Sequence, residues 1–159
     1  MGNLMEKVNE QFNFELESGY IYLAMAAYCD DKGMEGFAHF LTEQAKEEYE
    51  HAEKFYDFIT EKGERPEYAA IPKPEADYGT FTELFKTALE HEKEVTRRIK
   101  GIYKDAIEEG CLDTQQFLNW FIAEQREEED NFETIVERLE RINESWNGLY
   151  IFDRELGRR

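Results

Sequence analysis

Residues 63–79 read GERPEYAAIPKPEADYG and contain all three prolines of the 159-residue chain. Proline has no N–H to donate inside a helix, so this segment separates two helical regions. Fully extended, it covers about 56 Å at ~3.3 Å per residue, whereas a helix of roughly 28 residues is about 42 Å long. The segment can therefore cross the whole length of a helical bundle, which makes the helices before and after it parallel. The alternative, a flexible linker between two independent helical hairpins, would leave half of each apolar helix face in water.

Four long segments on either side of this crossover show the apolar periodicity of amphipathic helices. Thr80-x-x-Glu83 has the sequence of a capping box, and glycine follows each of the first three segments. We predict an all-α protein in which a four-helix bundle (about 3–143) and a short fifth helix (about 147–157) form a single domain over 1–159. The first long helix is predicted from about Asn3 to Asp31, and the second follows after a tight connection and continues to about Lys62. The third is predicted from Thr80 to near Gly110, and the fourth from Asp113 to about Asn143.

Composition and charge narrow the range of partners. The chain is 41% hydrophobic and 35% charged, which is typical of a soluble globular protein. Its net charge of −18 repels nucleic acid and anionic membranes and attracts cations, although solubility alone is the simpler explanation for acidity. The two cysteines, Cys29 and Cys111, form no CxxC motif and suit a reducing compartment. Since no secretory or membrane segment is evident, we expect a cytoplasmic protein.

Each of the four long helices carries one glutamate on its apolar face. Spacings of three, four and seven residues from apolar neighbours place Glu15, Glu48, Glu92 and Glu128 on the faces that point inward. An ionised carboxylate in a core costs several kcal/mol without compensation, and these faces hold no lysine or arginine. Two divalent cations would balance the four negative charges. The pattern therefore predicts a metal site.

The spacing of the polar residues repeats between the two halves of the chain. Glu48 and His51 follow Glu15 by 33 and 36 residues, and Gln125 and Glu128 follow Glu92 by the same intervals. A lone Glu-x-x-His is usually surface decoration, but the repeated spacing matches di-iron carboxylate bundles, which take one Glu from each of two helices and Glu-x-x-His from each of the others. Carboxylate oxygens with one imidazole suit iron or manganese better than a thiolate-loving metal.

These motifs make the chain similar to bacterial and archaeal non-haem ferritins over nearly its whole length. The matching segments are Asn9-Glu10-Gln11 through Glu15, Glu47-Glu48-x-x-His51, His91-Glu92, Phe117 through Glu129, and Gly148 through Leu156. The resemblance implies one iron site of Glu15, Glu48 and His51, with Glu48 bridging to a second site. It further implies that Glu92, Gln125 and Glu128 serve the second site, that Tyr22 stands beside the centre, and that Glu47, Glu124 and Glu127 form a third iron site that shares Glu128.

The resemblance also implies a function: iron storage with ferroxidase activity. Fe(II) would be oxidised by O2 or H2O2 at a di-iron centre, and ferric mineral would be deposited inside a homo-oligomeric cage of 24 subunits. Haem-carrying relatives have a methionine where this chain has Tyr49, and a second Glu-x-x-His where it has Gln125-x-x-Glu128, so no haem is expected. Two alternatives stay open, a non-catalytic structural ferritin cage and a free-standing di-iron or di-manganese oxidase.

Overall fold

The computed structural model describes residues 1–159 and consists of five α-helices, which confirms the predicted all-α class. Four long helices are followed by a short one. Their bounds are Asn3–Asp31 (α1), Glu35–Glu61 (α2), Phe81–Glu109 (α3), Leu112–Ile142 (α4) and Trp146–Leu156 (α5). None of the helices is both long enough and apolar enough to span a membrane.

The crossover between α2 and α3 is fastened to α1. The Asn9 side chain donates to the Glu67 carbonyl at 3.0 Å and accepts from the Glu67 N–H at 2.9 Å. Asn13 accepts from the Ala69 N–H at 2.8 Å. Near the other end of α1, the Tyr28 hydroxyl donates to the Gly79 carbonyl at 2.5 Å. The segment therefore follows α1 from its first turns towards its end, as expected of a bundle-length crossover, and is not a loose linker.

The helix ends agree with the predicted bounds to within a residue or two, and the Thr80 N-cap of the predicted capping box is confirmed. Thr80 is the N-cap of α3 and its hydroxyl accepts from the Glu83 N–H at 3.1 Å. The fourth helix was predicted one residue late. It begins at Leu112 because Cys111 already accepts the first helical hydrogen bond, from the Gln115 N–H at 3.3 Å.

The apolar core is divided into two clusters. The larger contains 21 buried residues, among them Tyr22, Phe85 and Phe132, and the smaller contains 14, among them Phe12 and Phe55. Along each long helix, the residues of the two clusters are separated by one or two turns of buried polar side chains. The fold therefore places a polar layer at mid-bundle, between the two apolar clusters.

The fifth helix packs onto the bundle end that holds the larger cluster. Leu149 and Phe152 are buried in that cluster, whereas Ile151 is 70% exposed. The Phe37 N–H donates to the Asp153 carboxylate at 2.8 Å. Close packing at this contact requires Gly36, because a Cβ on it would lie 1.8 Å from the Asp153 carbonyl oxygen.

Candidate metal centre

The mid-bundle layer contains the four glutamates that were predicted to point inward. Glu15, Glu48 and Glu92 have no exposed surface, and Glu128 is 3% exposed. No lysine or arginine is among the buried residues. Four carboxyl groups thus share a small volume of low dielectric constant with no lysine or arginine to balance their charge. This arrangement is unfavourable unless the carboxyl groups bind protons or cations.

A first group of potential ligands joins α1 and α2. One oxygen from each of Glu15 and Glu48 and one nitrogen of His51 lie within 4.8 Å of one another. His51 Nδ1 is 3.3 Å from Glu48 Oε2 and 3.7 Å from Glu15 Oε2. These three atoms are buried, and none makes a well-directed hydrogen bond. These two oxygen atoms and one nitrogen atom lack hydrogen-bond partners and face one another, so all three can act as ligands to one cation.

A second group lies beside the first and joins the two halves of the chain. Oxygen atoms of Glu48, Glu92 and Glu128 also lie within 4.8 Å of one another. Glu48 belongs to both groups, so one carboxylate could contact two neighbouring cations. The equal spacing in the sequence thus corresponds to side chains that meet at the same level of the bundle.

Tyr22 and Gln125 both donate hydrogen bonds to Glu92. The Tyr22 hydroxyl lies 2.5 Å from Glu92 Oε1, and Gln125 Nε2 lies 3.1 Å from Glu92 Oε2. Gln125 also donates to the Glu92 carbonyl at 3.2 Å, while its own side-chain oxygen is buried without a partner. Gln125 is therefore placed to orient Glu92, and only its carbonyl oxygen is free for a weak contact with a cation.

Two further glutamines complete the layer, and sequence reasoning missed their role. Gln11 Nε2 donates to Glu15 at 3.0 Å, and Gln44 Nε2 donates to Glu48 at 3.0 Å and to Glu128 at 2.8 Å. Both side chains are 1% exposed. The signal was available in the sequence, since each glutamine precedes its glutamate by four residues and so shares its helix face.

A third group of carboxylates lies at the surface. Oxygen atoms of Glu47, Glu124 and Glu128 come within 4.8 Å of one another, although Glu47 and Glu124 are only half-buried. The group borders a cavity of about 500 Å³ that is also lined by Gln44 and Glu127. Glu127 has no oxygen within the compact group. Glu128 belongs to both the second and the third group and thus links the buried layer to the cavity.

Burial controls the protonation of these groups. It raises the pKa of Glu48 to about 7, with the Glu15 charge adding to the shift, and the pKa of Glu128 to about 9, with Glu92 and Glu48 adding. The pKa of Glu92 is raised for the same reasons. Burial disfavours a charged His51, but Glu15 and Glu48 outweigh it and raise its pKa to about 11. Without metal the layer retains protons, which a bound cation would displace.

The fold and this layer together define a helical bundle of the carboxylate-rich, metal-binding class. A ferritin-like domain model of the Ferritin family matches residues 5–142. Bacterial non-heme ferritins of Staphylococcus haemolyticus (strain JCSC1435) and Staphylococcus aureus (strain USA300) are each 44% identical over 157 residues, which make up 99% of this chain and 95% of those proteins.

Comparison with solved structures also leads to ferritins. The open-pore ferritin of the hyperthermophilic archaeon Archaeoglobus fulgidus superimposes with a TM-score of 0.98 at 38% identity, over 100% of this chain and 98% of that one. A form of the same ferritin engineered to be closed gives a TM-score of 0.98 over 100% of this chain and 97% of that one. The chain belongs to the ferritin family, among the bacterial and archaeal non-haem ferritins, and its function is iron storage.

Proposed function

We propose that the chain is a ferroxidase, which binds two Fe(II) ions as substrate in the mid-bundle layer and oxidises them for storage. The observation that carries this proposal is the sharing of Glu48 between two buried groups of potential ligands. In the proposed centre, Glu15 and His51 hold one ion and Glu92 and Glu128 hold the other. Glu48 bridges the pair and keeps the ions close enough for both to react with one oxidant molecule.

The proposed reaction balances with O2 as the oxidant. Two Fe(II) ions lose one electron each, and O2 takes up these two electrons and two protons to become H2O2. The two Fe(III) ions then react with four water molecules to give two FeO(OH) units and six protons, so four protons are released for each pair of ions. With H2O2 as the oxidant, the two electrons and two protons instead yield two water molecules.

We further propose a route for the product. Glu128 belongs to both the buried layer and the half-buried group, so it can pass an ion from the centre to Glu47 and Glu124 beside the cavity. Glu127 lines the same cavity and adds negative charge that retains cations. In this proposal the chain is one domain over 1–159, it assembles into a cytoplasmic cage of 24 subunits as its resemblance to non-haem ferritins implies, and the mineral grows inside.

A double substitution tests the oxidation step. In Glu48→Ala/His51→Ala, both ligand groups lose Glu48 and one also loses its imidazole, so rapid Fe(II) oxidation in air should fall by at least about 100-fold. The matched control is Glu50→Ala/Glu53→Ala, which removes two exposed side chains from the same helix. Stopped-flow absorbance measures the oxidation, and size-exclusion chromatography shows whether assembly is preserved. Oxidation at the native rate in the double variant would rule out this centre.

The same measurements separate the two alternatives. A non-catalytic cage would assemble but would oxidise Fe(II) no faster in the native protein than in the double variant. A free-standing oxidase would elute as a small species and would need an organic substrate. The complete set of Glu15, Glu48, His51, Glu92 and Glu128 in one buried layer favours the ferroxidase.

A further inference from the structure

One positively charged side chain, that of Arg159, lies against the half-buried group of Glu47, Glu124 and Glu128 and has no part in the proposed route of the product. Arg159 lines the same cavity as Glu47, Glu124 and Glu128. Its Nη2 atom is 2.7 Å from Glu47 Oε1, and its side chain is only 23% exposed. The other arginine on this cavity, Arg138, is instead paired with Glu155 at 2.8 Å. Arg159 is therefore the cation that neutralises Glu47.

Several contacts other than the ion pair hold Arg159 in place. Its Nη1 donates to the Phe40 carbonyl at 3.1 Å, and its guanidinium lies 4.4 Å from the centre of the Phe40 ring. Its own carbonyl oxygen is 2.9 Å from His39 Nε2. Hydrogen bonding, stacking on the aromatic face and the ion pair together favour one position for a side chain that would otherwise sample many.

We propose that Arg159 acts as a tethered counter-cation that competes with metal ions for Glu47 and so sets the metal affinity of the group formed by Glu47, Glu124 and Glu128. A guanidinium carries only donors and keeps its charge, so it cannot ligate a metal ion and can only repel one. A divalent ion that binds Glu47 must break the ion pair with Arg159 and tolerate the nearby positive charge.

The buried layer contrasts with this arrangement. No lysine or arginine is buried there, so ions at the two buried groups compete only with protons. Competition from Arg159 therefore weakens only the half-buried group. This difference suits an ion that must leave: it binds the half-buried group long enough to pass, and the returning guanidinium promotes its release. The identification of the passing ion as iron rests on the proposed function, whereas the competition itself applies to any divalent cation.

Zn²⁺ tests the competition without the complication of oxidation. Crystals of the assembled protein are equilibrated with graded Zn²⁺ concentrations, and anomalous diffraction gives the occupancy of each of the three groups. In Arg159→Gln the half-saturating Zn²⁺ concentration at the half-buried group should fall about three- to fivefold, as expected for removal of a partly exposed ion pair. The buried group of Glu15, Glu48 and His51, which shares no carboxylate with the half-buried group, should be unchanged. Arg158→Gln is the matched control, since Arg158 is exposed and makes no side-chain ion pair.

A second background separates competition from a structural effect. In Glu47→Gln the ion pair is already absent and only the repulsion by the nearby guanidinium remains, so adding Arg159→Gln should increase the affinity at Glu124 and Glu128 by less than it does in the native background. An unchanged affinity in Arg159→Gln, or an equal gain in Arg158→Gln, would overturn the proposal. Failure of the proposed function would look different: Zn²⁺ would then be absent from the two buried groups in every variant, including the native protein.

Discussion

The side-chain amide of Gln44 donates to Glu128 across 2.8 Å and thereby joins α2 to α4 at the edge of the buried carboxylate layer. The same nitrogen donates to Glu48 at 3.0 Å. Gln44 thus holds the two glutamates that are each shared between neighbouring ligand groups. It also lines the cavity, so it stands between the layer and the half-buried group.

Replacing Gln44 by methionine should weaken Fe(II) binding without unfolding the bundle. Methionine has a similar length and fills the space, but it cannot donate, so Glu48 and Glu128 lose the group that orients them. We expect the half-saturating Fe(II) concentration, measured anaerobically, to rise about three- to tenfold. Gln116→Met, at an exposed position on α4, is the control. Equal affinities in the two variants would show that Gln44 has no positioning role.

Tyr22→Phe removes the hydroxyl that donates to Glu92 at 2.5 Å. The phenyl ring preserves the packing, but Glu92 loses a donor in a fully buried site. We expect the metal-free protein to lose about 1–2 kcal/mol of unfolding free energy and Fe(II) oxidation to slow without being abolished. Chemical denaturation and stopped-flow absorbance measure the two effects. Tyr56→Phe, at a 40% exposed position, should change neither, and a similar loss in both variants would contradict this interpretation.

The metal-free protein should become less stable as the pH rises. The folded-state pKa values of Glu48 and Glu128, about 7 and about 9, lie above the ordinary value of 4.5, so the folded chain binds more protons than the unfolded chain from about pH 4.5 to about pH 9. Stability that is complete below pH 4.5 is lost progressively through this window, and the raised pKa of His51 acts in the same direction. Between pH 5 and pH 8 the two carboxyl groups together correspond to a loss on the order of 6 kcal/mol, because each extra proton retained over one pH unit contributes about 1.4 kcal/mol.

Thermal unfolding at several pH values, with and without Zn²⁺, measures this dependence. Because the metal binds the deprotonated carboxylates, the increase in Tm caused by Zn²⁺ should grow as the pH rises. Glu48→Gln/Glu128→Gln replaces the two titrating groups by neutral amides of the same shape and should flatten the metal-free profile. A steep profile that survives in this variant would show that Glu48 and Glu128 are not its origin and would leave Glu92 and His51, whose pKa values are also raised, as the candidates within the layer.

Two glycine substitutions should have opposite effects on stability. Gly36→Ala places a Cβ 1.8 Å from the Asp153 carbonyl oxygen, so α5 must move away, and we expect a loss of about 1–3 kcal/mol. Gly101→Ala lies inside α3, and apart from the adjoining backbone of its own helix nothing lies within 4 Å of the new Cβ, so the better helix former should stabilise the protein by up to about 1 kcal/mol. Both are measured by thermal or chemical unfolding, and a loss at Gly101 similar to that at Gly36 would contradict the predicted difference.

Most of the fold could be predicted from the sequence because its signals are local or periodic. The prolines of the crossover, the Thr80 capping box and the apolar stripes each have one simple physical consequence, and the helix bounds follow to within a residue or two. The start of α4 was predicted one residue late because Cys111 caps it through its backbone alone, with no side-chain hydrogen bond for the sequence to signal.

The central glutamates of the candidate site could also be predicted from the sequence, but the contacts around them could not. Four inward glutamates at repeated spacings indicate a shared charge problem in the core, and the structure does bring Glu48 together with Glu15, Glu92 and Glu128. The contact of Arg159 with Glu47 could not be foreseen, since it depends on where α5 packs and on which way a long side chain turns. Periodicity predicts which face of a helix a residue occupies, and it does not predict which partner the tip of a long side chain contacts.

The crossover gives the buried layer a mechanical meaning. It divides the chain into two hairpins, one contributing Glu15, Glu48 and His51 and the other contributing Glu92 and Glu128. An ion held by Glu48, Glu92 and Glu128 would therefore add a crosslink between halves whose backbone is continuous only through the crossover and which otherwise contact each other through packing and side-chain hydrogen bonds. Iron bound in this layer would hold the two hairpins together at mid-bundle, and its departure would remove that link. The rigidity of the subunit at this level would therefore rise and fall with each turnover.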